Sequence, residues 1–325
     1  MPVVAIGEIV VDWLSVDPGA DLFRARNFHR ALGGNSANVA IGISKLGTPV
    51  RFVAKTGGDF HAHYLRSELE RHGVDSTYVL ADERYATAQC YMTTTDSGEH
   101  QYRNWPRPHA ADMLSPEEIS EDIFDGVKFL HATGISFVVS PRRDAVQRAL
   151  DIARAKGIPI SFDALFPTGW DEDAHRYVEP ALHQADLIKM NEYELGFWSG
   201  LPVEGEERLR LASQHVFDKY GPVALFVTCA ARGSLVVTKD GMVHCAPVEV
   251  NCVSGVGAGD AYVAGTLHHL YGKDIRAIDL DEWRQAGMTG NFVGALSTRA
   301  IDANSAIPTD RDLAVWRAAS GKSPT

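Results

Sequence analysis

The sequence predicts an α/β fold, a sandwich built on a mostly parallel central sheet with a small β lid. Two observations favour this fold class. Short apolar runs that predict buried strands alternate with stretches of helical spacing, an order typical of a parallel sheet covered on both faces. Two segments rich in polar and aromatic residues, about 13–32 and 86–108, interrupt that order and predict the lid.

The first half of the chain follows the alternation. Residues 3–11 are apolar and rich in β-branched side chains, so we expect one buried strand there. Helical spacing over 36–46 stops at Gly47, and glycine commonly ends helices. A second strand is predicted at 50–54, and a second helix at 64–72.

The second half continues the pattern. Two stretches of helical spacing predict helices at 144–156 and 209–220. Apolar runs of strand length predict the remaining strands of the central sheet at 129–132, 158–163, 187–190, Ala224–Thr228 and Ser234–Thr238.

The second lid segment has its own pattern. Residues 87–95 and His100–Trp105 flank Asp96-Ser97-Gly98, and turn residues between two such runs predict a β-hairpin. We expect one domain over residues 1–325 that includes both lid segments. The exposed edges of lid strands favour pairing between subunits, which makes a homodimer through the lid an option.

Charge and composition exclude several classes of protein. The 31 basic and 42 acidic residues give a net charge of −11, which disfavours nucleic acid and anionic membranes as partners. We find no apolar run of the length that a membrane span needs and no signal-peptide pattern. The four cysteines show no disulfide-like spacing, so a reduced, cytoplasmic location is expected.

A glycine-rich turn carries the strongest chemical signal. Gly257-Ala258-Gly259 precede Asp260, and the apolar stretch 262–270 predicts a helix after the turn. A glycine turn that opens a helix directs free backbone N–H groups at one point, which suits a phosphate group. An aspartate at that point is well placed to accept a hydroxyl proton. The alternative interpretation is an ordinary turn whose aspartate caps the helix.

A second group of polar residues suits a sugar. Asn35 and Asn38 follow Gly34 at the start of a predicted helix, where their amides share one face and can bond sugar hydroxyls. Alternatively, an asparagine there simply caps the helix. Asp12, at the end of the first predicted strand, can bind adjacent hydroxyls or can be a strand-end residue without a function.

Taken together, these stretches resemble the ribokinase-like (PfkB) carbohydrate kinases over nearly the whole chain. The matching residues are Gly7-Glu8, Asp12, the block from Gly33 to Gly47, Gly57, Asp59, Leu65, the HGVD at 72–75, the NxxE pattern from Asn191 to Glu194, and GAGD at 257–260. The resemblance implies a ribokinase-like sandwich and transfer of the γ-phosphoryl group of ATP to a sugar hydroxyl.

The resemblance also implies roles for individual residues. Asp260 would be the catalytic base, and the backbone of Gly257, Ala258 and Gly259 would hold the phosphoryl group. Glu194, together with Asn191, would hold Mg²⁺ through water. The sugar site would be lined by Asp12, Gly34, Asn35 and Asn38, and the nucleotide site by Asn191, Thr228, Gly233, Gly257, Gly259 and Asn291.

The sequence of the lid hairpin indicates which substrate to expect. Its segment with Arg103, Trp105 and Arg107 is similar to fructokinases and 2-keto-3-deoxygluconate kinases, in which an aromatic and arginine hairpin closes over the sugar. Fructose is the first expected substrate, the sugar acid is the alternative, and nucleosides come third. A solvent-exposed hairpin with scattered arginines, or a ligand-binding protein without activity, are the competing interpretations.

Three stretches depart from the family pattern. Ser254-Gly255-Val256 stand where most relatives carry an aspartate that helps to bind potassium, so we expect little dependence on K⁺. The segment 163–167 lacks the asparagine and arginine of the family's sugar-pocket block. One glycine is also replaced in the turn from Thr228 to Gly233.

Other motifs carry little weight. No G-x-G-x-x-G follows the first predicted strand, which counts against a nicotinamide-dependent dehydrogenase. Gly321-Lys322-Ser323 ends like a phosphate-binding Walker loop, but it lacks the earlier glycine and the preceding strand. His61 with His63, and His268 with His269, have no third metal ligand at convincing spacing.

Overall fold

The computed structural model describes residues 1–94 and 100–319, and a nine-stranded sheet lies at its centre. Its strands are β1 Val3–Ile6, β4 Val50–Thr56, β5 Asp75–Ala81, β8 Phe129–Thr133, β9 Ile160–Asp163, β10 Leu187–Asn191, β11 Ala224–Thr228, β12 Ser234–Thr238 and β13 Gly241–Cys245. The strand order is β13-β12-β11-β10-β9-β8-β1-β4-β5, and all neighbours are parallel except β12, which is antiparallel to both β11 and β13.

Helices cover both faces of this sheet. The helices are α1 Asn35–Lys45, α2 Phe60–Arg71, α3 Arg142–Ala155, α4 Asp171–Asp173, α5 Glu179–Leu182, α6 Glu192–Ser199, α7 Glu206–Tyr220, α8 Ala258–Leu270, α9 Leu280–Ser297 and α10 Asp310–Ala319. Val4 and Ile6 belong to the core on the side of α3, α6 and α7, whereas Val3 and Ala5 belong to the core on the side of α1, α2, α8 and α9, because successive strand residues point to opposite faces. The expected α/β sandwich is confirmed.

The lid is a separate four-stranded sheet. Its strands are β2 Val10–Ser15, β3 Phe28–Gly33, β6 Gln89–Thr94 and β7 His100–Trp105, in the order β3-β2-β6-β7. β6 and β7 pair antiparallel, as the hairpin prediction requires. The predicted turn at Asp96-Ser97-Gly98 and the Walker-like Gly321-Lys322-Ser323 lie outside the described residues. One domain over 1–325 stays a prediction.

The prediction of one strand over residues 3–11 is wrong. The structure divides this run between β1 in the central sheet and β2 in the lid. Gly7, between them, has a φ of +154°, and a Cβ atom there would lie 2.6 Å from Ser136 Oγ and would also collide with Ser36 Oγ. Gly7 and Glu8 are the only interruption of the apolar run, and so short an interruption does not by itself reveal a change of sheet.

Within the described ranges, none of the helices combines the length and the apolar composition that crossing a bilayer demands.

Candidate active site

The site begins at the turn that opens α8. Gly257 immediately precedes the helix and has a φ of +74°, a conformation that favours glycine. A Cβ atom at this position would lie 2.9 Å from Ala303 Cα, so the turn packs directly on the chain near residue 303. The N–H group of Ala258 donates to Gly255 O at 3.2 Å, whereas those of Gly257 and Gly259 have no acceptor among the described residues. Two backbone donors therefore remain for an anion at the positive end of the helix.

Asp260 lies in the first turn of α8 and is only 3% exposed. Its carboxylate accepts hydrogen bonds from the amide of Asn38, at 2.8 Å, and from that of Asn35, at 3.1 Å. Burial raises the pKa of Asp260 to about 7, although the bonds from Asn38 and Asn35 oppose the increase. A carboxylate with such a pKa can accept a proton near neutral pH.

Asp12 is a second buried carboxylate of the site. It lies in β2 and is 7% exposed. Burial raises its pKa to about 8, and the negative charges of Asp260 and Asp302 add to the increase. A Cβ atom on Gly33, in β3, would overlap the Asp12 carboxylate, so the glycine leaves room for that group. The lid sheet thus places Asp12 within electrostatic range of Asp260.

Gly34 and Glu8 set the start of α1. Gly34 has a φ of +100°, and a Cβ atom there would lie 2.6 Å from the Glu8 carbonyl oxygen. The Glu8 carboxylate accepts from the backbone N–H of Asn35 at 2.8 Å and from Ser136 Oγ at 3.0 Å. Glu8 therefore fixes the helix end from which Asn35 reaches Asp260. The sequence identified Glu8 only as part of a motif and gave it no role.

Asn304 is a site residue that the sequence analysis missed. Its side-chain N–H group donates to Asn38 Oδ1 at 3.0 Å and to Leu32 O at 2.9 Å. Asp302 holds the same segment by accepting from the backbone N–H of Asn304 at 2.8 Å. Both polar ends of Asn38 are thus engaged within the protein, and its predicted contact with a sugar stays a prediction. No spacing pattern in the sequence marks Asn304.

Asn191 and Glu194 form a reciprocal cap at the start of α6. Glu194 N–H donates to Asn191 Oδ1 at 2.9 Å, and the Glu194 carboxylate accepts from Asn191 N at 2.6 Å and from Asn191 Nδ2 at 2.9 Å. Burial raises the pKa of Glu194 to about 7, Lys189 opposes the increase, and Asp163 adds to it.

The Glu194 carboxylate is the candidate metal-side group. Since both its oxygens already accept a hydrogen bond, contact through water suits Mg²⁺ better than direct ligation. In the described part of the chain, no three His, Cys, Asp or Glu side chains form a ready metal cage.

Lys189 and Asp163 form a buried ion pair that the sequence analysis also missed. Lys189 Nζ lies 3.2 and 3.1 Å from the two Asp163 oxygens and 3.9 Å from Glu194 Oε2. Burial lowers the pKa of Lys189, but the charges of Asp163 and Glu194 outweigh it, so the net pKa is raised. The available signal was a lysine inside the apolar run 187–190, which was itself predicted to be a buried strand.

The residues predicted to form a nucleotide wall are Thr228 at the end of β11, Gly233 just before β12 and Asn291 in α9. Thr228 pairs in register with Asn191, and its hydroxyl donates to Met190 O at 3.4 Å. Gly233 has a φ of +85° in the turn before β12. The Asn291 side chain donates to Cys245 O at 3.0 Å and to Ala246 O at 2.9 Å, so it fixes the backbone that leaves β13. Contact of these residues with a nucleotide stays a prediction.

The lid register separates the hairpin residues by face. Asp12 pairs with Cys90, and Cys90 pairs with Asn104, so these three share one face of the lid. Arg103 and Trp105 lie on the opposite face, because successive strand residues alternate. Trp105 is 64% exposed. The structure therefore does not bring Arg103 and Trp105 to the face of Asp12, and their predicted contact with the sugar stays a prediction.

Arg107 follows the end of β7 and is exposed. Burial raises the pKa of the Cys90 thiol to about 12, Asp12 adds to the increase, and the Arg107 guanidinium opposes it. Arg107 thus lies within electrostatic range of the lid face that carries Asp12. Of the two arginines, it is the better placed to meet a negatively charged substrate.

Comparison with known proteins agrees with this geometry. Residues 2–310 match the model of the pfkB family of carbohydrate kinases. The chain is 32% identical over 310 residues to fructokinase-2 of Oryza sativa subsp. japonica, covering 94% of this chain and 91% of the relative. It is 30% identical over 311 residues to a fructokinase of Salmonella typhimurium, covering 95% and 96%.

A solved structure shares the fold. The fructokinase of Vibrio cholerae O395, in a form bound to fructose, ADP and a calcium ion, superposes with a TM-score of 0.83. The two chains are 24% identical, and the match covers 97% of this chain and 98% of the other. This likeness shows the ribokinase-like fold that the sequence predicted.

Proposed function

The chain belongs to the PfkB family of carbohydrate kinases, and from that premise we propose that it transfers the γ-phosphoryl group of ATP to a hydroxyl of fructose. One observation carries the proposal. Asp260 is buried directly beside a glycine turn with free backbone donors, and two asparagine amides hold its carboxylate. A base and an anion site thus lie within one helical turn of each other.

The reaction uses these groups in a single displacement. Asp260 takes the proton of the attacking sugar hydroxyl, while the hydroxyl oxygen forms a bond to the γ-phosphorus. The bond between that phosphorus and the bridging oxygen breaks, and ADP leaves with the electron pair. The free N–H groups of Gly257 and Gly259, at the N-terminus of α8, would hold the charge on the transferring group.

Magnesium fits beside Glu194. Bound Mg²⁺ would neutralise negative charge on the phosphate oxygens, and Glu194, fixed by Asn191, would hold its water shell. Glu194 Oε2 lies 3.9 Å from Lys189 Nζ, and the charge of Asp260 also acts on Lys189, so the metal-side acid and the proposed base lie near the same cation.

Fructose is favoured by the relatives and by the lid register. Curated fructokinases about a third identical to this chain match nearly its whole length. Asn104, which shares the face of Asp12, offers a neutral amide, and a neutral sugar needs no counter-charge. A 2-keto-3-deoxygluconate kinase is the second candidate, and its support is the charge of Arg107 near that face.

A panel assay tests the proposal. ADP release would be measured with ATP and Mg²⁺ on fructose, 2-keto-3-deoxygluconate, ribose and a nucleoside, with phosphorylated product identified by mass spectrometry. We expect the highest kcat/KM with fructose. Highest kcat/KM with the sugar acid would favour the second candidate, and absence of any product would indicate a ligand-binding protein without activity.

The Asp260→Asn variant is the internal control of that assay. It keeps size and shape but cannot accept the proton, so kcat should fall by about 10²–10⁴-fold. ATP affinity should change little, because backbone groups form the anion site. Turnover close to that of the unmodified protein would contradict the assignment of the base.

Replacing each arginine by lysine separates the two substrates. Lysine cannot form the paired hydrogen bonds that a guanidinium makes with a carboxylate. Arg107→Lys should raise KM for the sugar acid and leave KM for fructose within about twofold. Arg103→Lys should change neither KM, since Arg103 lies on the other face of the lid.

The remaining proposals concern assembly and location. We infer a homodimer through the lid from the exposed edges of β3 and β7, which end the lid sheet within the described residues. We also infer a cytoplasmic protein, because the four cysteines show no disulfide-like spacing and are all free. Sedimentation of the purified protein tests the first of these proposals.

A further inference from the structure

We propose that Asn304 is a positioning residue that makes Asn38 present its N–H group, and not its oxygen, to the carboxylate of Asp260. This inference rests on the proposed function, in which Asp260 is the base. The observation behind it is a line of hydrogen bonds that all run in one direction. Asn304 Nδ2 donates to Leu32 O at 2.9 Å and to Asn38 Oδ1 at 3.0 Å. Asn38 Nδ2 in turn donates to Asp260 Oδ2 at 2.8 Å.

The backbone carbonyl of Leu32 sets this direction. A carbonyl oxygen can only accept a hydrogen bond, so the end of the Asn304 amide that faces Leu32 is the N–H end. The same N–H end meets Asn38, which therefore turns its own oxygen toward Asn304. The N–H end of Asn38 is left for Asp260, whose carboxylate accepts it. Because Leu32 lies in β3, a strand of the lid determines which end of Asn38 reaches the base.

A buried carboxylate holds the turn that carries Asn304. Asp302 accepts from the backbone N–H of Asn304 at 2.8 Å, and from the backbone N–H and the hydroxyl of Ser305, both at 2.7 Å. Burial raises the pKa of Asp302, but the bonds from Ser305 and Asn304 outweigh it, so the net pKa is lowered and the group stays charged. His29 Nε2, from the same lid strand as Leu32, lies 3.4 Å from Asp302 Oδ2. The turn therefore contacts β3 at two points.

Stability alone does not account for this orientation of Asn304. Its Oδ1 atom is buried and has no hydrogen-bond partner among the described residues. A buried acceptor without a donor lowers the stability of the fold. The orientation therefore serves the bonds to Leu32 and Asn38, although it leaves Asn304 itself incompletely bonded.

The bond from Asn304 acts on the proton affinity of the base. Burial raises the pKa of Asp260, and the bond from Asn38 opposes the increase. A donor at the oxygen of the Asn38 amide polarises that amide and strengthens the bond that its N–H group makes with the carboxylate. Loss of the Asn304 donor should therefore raise the pKa of Asp260. The charged groups that act around Asp260 come from three strands and are unchanged in the variants below: Asp12 of β2, Asp163 of β9 and Lys189 of β10.

The Asn304→Leu variant tests the proposal, because leucine has a similar size and no donor. We expect the acid limb of the kcat/KM profile with fructose to move upward by about 0.5–1 pH unit, so that kcat/KM at pH 6 falls by about three- to tenfold. At pH 9, where Asp260 is ionised in both proteins, the two values should agree within about twofold. An acid limb that stays in place, or an equal loss at every pH, would overturn the proposal.

A double variant shows whether Asn304 acts through Asn38. Asn38→Ala removes the middle of the line of bonds, so adding Asn304→Leu to it should move the acid limb no further. Shifts that add would reject the role of Asn304. If the leucine prevents folding, Asn304→Ala takes its place, with the same expected profile and the same decisive outcomes.

Tyr220→Phe is the matched control for the loss of a buried donor. The Tyr220 hydroxyl donates to Glu179 Oε1 at 2.9 Å. Tyr220 ends α7 just before β11 begins, whereas the candidate site lies beyond the other end of that strand, at Thr228. This variant should lower the melting temperature and leave the acid limb in place. An equal shift of the limb in Tyr220→Phe would also reject the proposal.

A titration without turnover separates this proposal from the proposed function. Carboxyl-carbon NMR of protein labelled with ¹³C-aspartate reports the pKa of Asp260, whose signal is identified by its loss in Asp260→Asn. Asn304→Leu should raise that pKa by about 0.5–1 pH unit, whether or not the protein phosphorylates a sugar. An unmodified protein that phosphorylates no sugar contradicts the proposed function alone. An unchanged pKa in Asn304→Leu contradicts the role of Asn304.

Discussion

Asn38 donates a hydrogen bond of 2.8 Å to Asp260 Oδ2 across 222 positions of sequence, and Asn304 holds the other end of the same amide at 3.0 Å. The Asp260 carboxylate is therefore held by a chain of two asparagines. Since the bond from Asn38 stabilises the charged form, it opposes the rise in pKa that burial causes.

Asn38→Ala should therefore make the base harder to ionise. Loss of one hydrogen bond to a charged group costs about 1.5–3 kcal/mol, which corresponds to roughly one to two pH units. The acid limb of the kcat/KM profile should shift upward by about one pH unit. A profile from pH 5 to 9 with fructose would measure the shift.

Asn27→Ala is the matched control for that profile. Asn27 is an exposed asparagine of the lid segment, and it bonds Asp17 instead of Asp260. Its profile should overlay that of the unmodified protein. If Asn38→Ala also leaves the acid limb in place, Asp260 is not the group that the profile reports.

Asp12 should make stability depend on pH. Its folded pKa of about 8 lies above its ordinary value, so the folded protein holds a proton that the unfolded chain has lost. Stability is then highest at acid pH and falls as pH rises from about 4 toward 8, by up to about 1.4 kcal/mol per pH unit for one group. Asp260, with a raised pKa of about 7, acts in the same direction.

Asp12→Asn removes that titration. Urea unfolding at pH 5.5 and 7.5 should show a larger fall in free energy for the unmodified protein than for the variant, by about 1–3 kcal/mol. The comparison between the two proteins cancels the titration of the other groups. Equal falls would show that Asp12 is ionised in the folded protein.

We predict that turnover requires glycine at position 257 for two reasons, the positive φ of this residue and its close contact with Ala303. Gly257→Ala combines a positive φ with a clash at 2.9 Å against Ala303 Cα. Gly169→Ala is the matched control, with a φ of +81° and no atom within 4 Å. Backbone strain alone costs about 1–3 kcal/mol, so both variants should lose stability, but only Gly257→Ala should also lose most of its turnover.

Thermal melts and initial rates decide between these effects. If Gly169→Ala and Gly257→Ala show equal melting temperatures and equal rates, the contact with Ala303 has no functional role.

Potassium should have little effect on the rate. Ser254 offers a neutral hydroxyl in place of an aspartate, and that oxygen already accepts from Val256 N at 3.3 Å. Hard cations bind mainly charged and carbonyl oxygens. Replacing K⁺ by a large organic cation at constant ionic strength should leave the rate within about twofold.

The Ser254→Asp variant is the complementary experiment, since it introduces the carboxylate that the potassium-binding relatives carry. We expect this variant to become activated by K⁺. Several-fold activation of the unmodified protein would show that carbonyl oxygens bind the ion without an aspartate.

The sequence predicted the fold class, the lid and the turn with Asp260 because each depends on local composition or short spacing. Gly7 shows the limit of this approach, since only Gly7 and Glu8 interrupt the apolar pattern where the chain changes sheet. Asn304 and Lys189 show a second limit. Their importance comes from contacts across the fold, such as that between Lys189 and Gly259 of α8, which no single-sequence pattern records.

The connection from the lid to α1 is a single residue. β3 ends at Gly33, α1 begins at Asn35, and only Gly34 lies between them. A rotation of the lid at Gly34 would move Asn35 relative to Asp260, which it bonds at 3.1 Å. If the protein acts as proposed, a sugar that engages the lid would thereby adjust the position of Asp260, whereas a water molecule in its place would not. This short connection would then favour phosphorylation of the sugar over hydrolysis of the nucleotide.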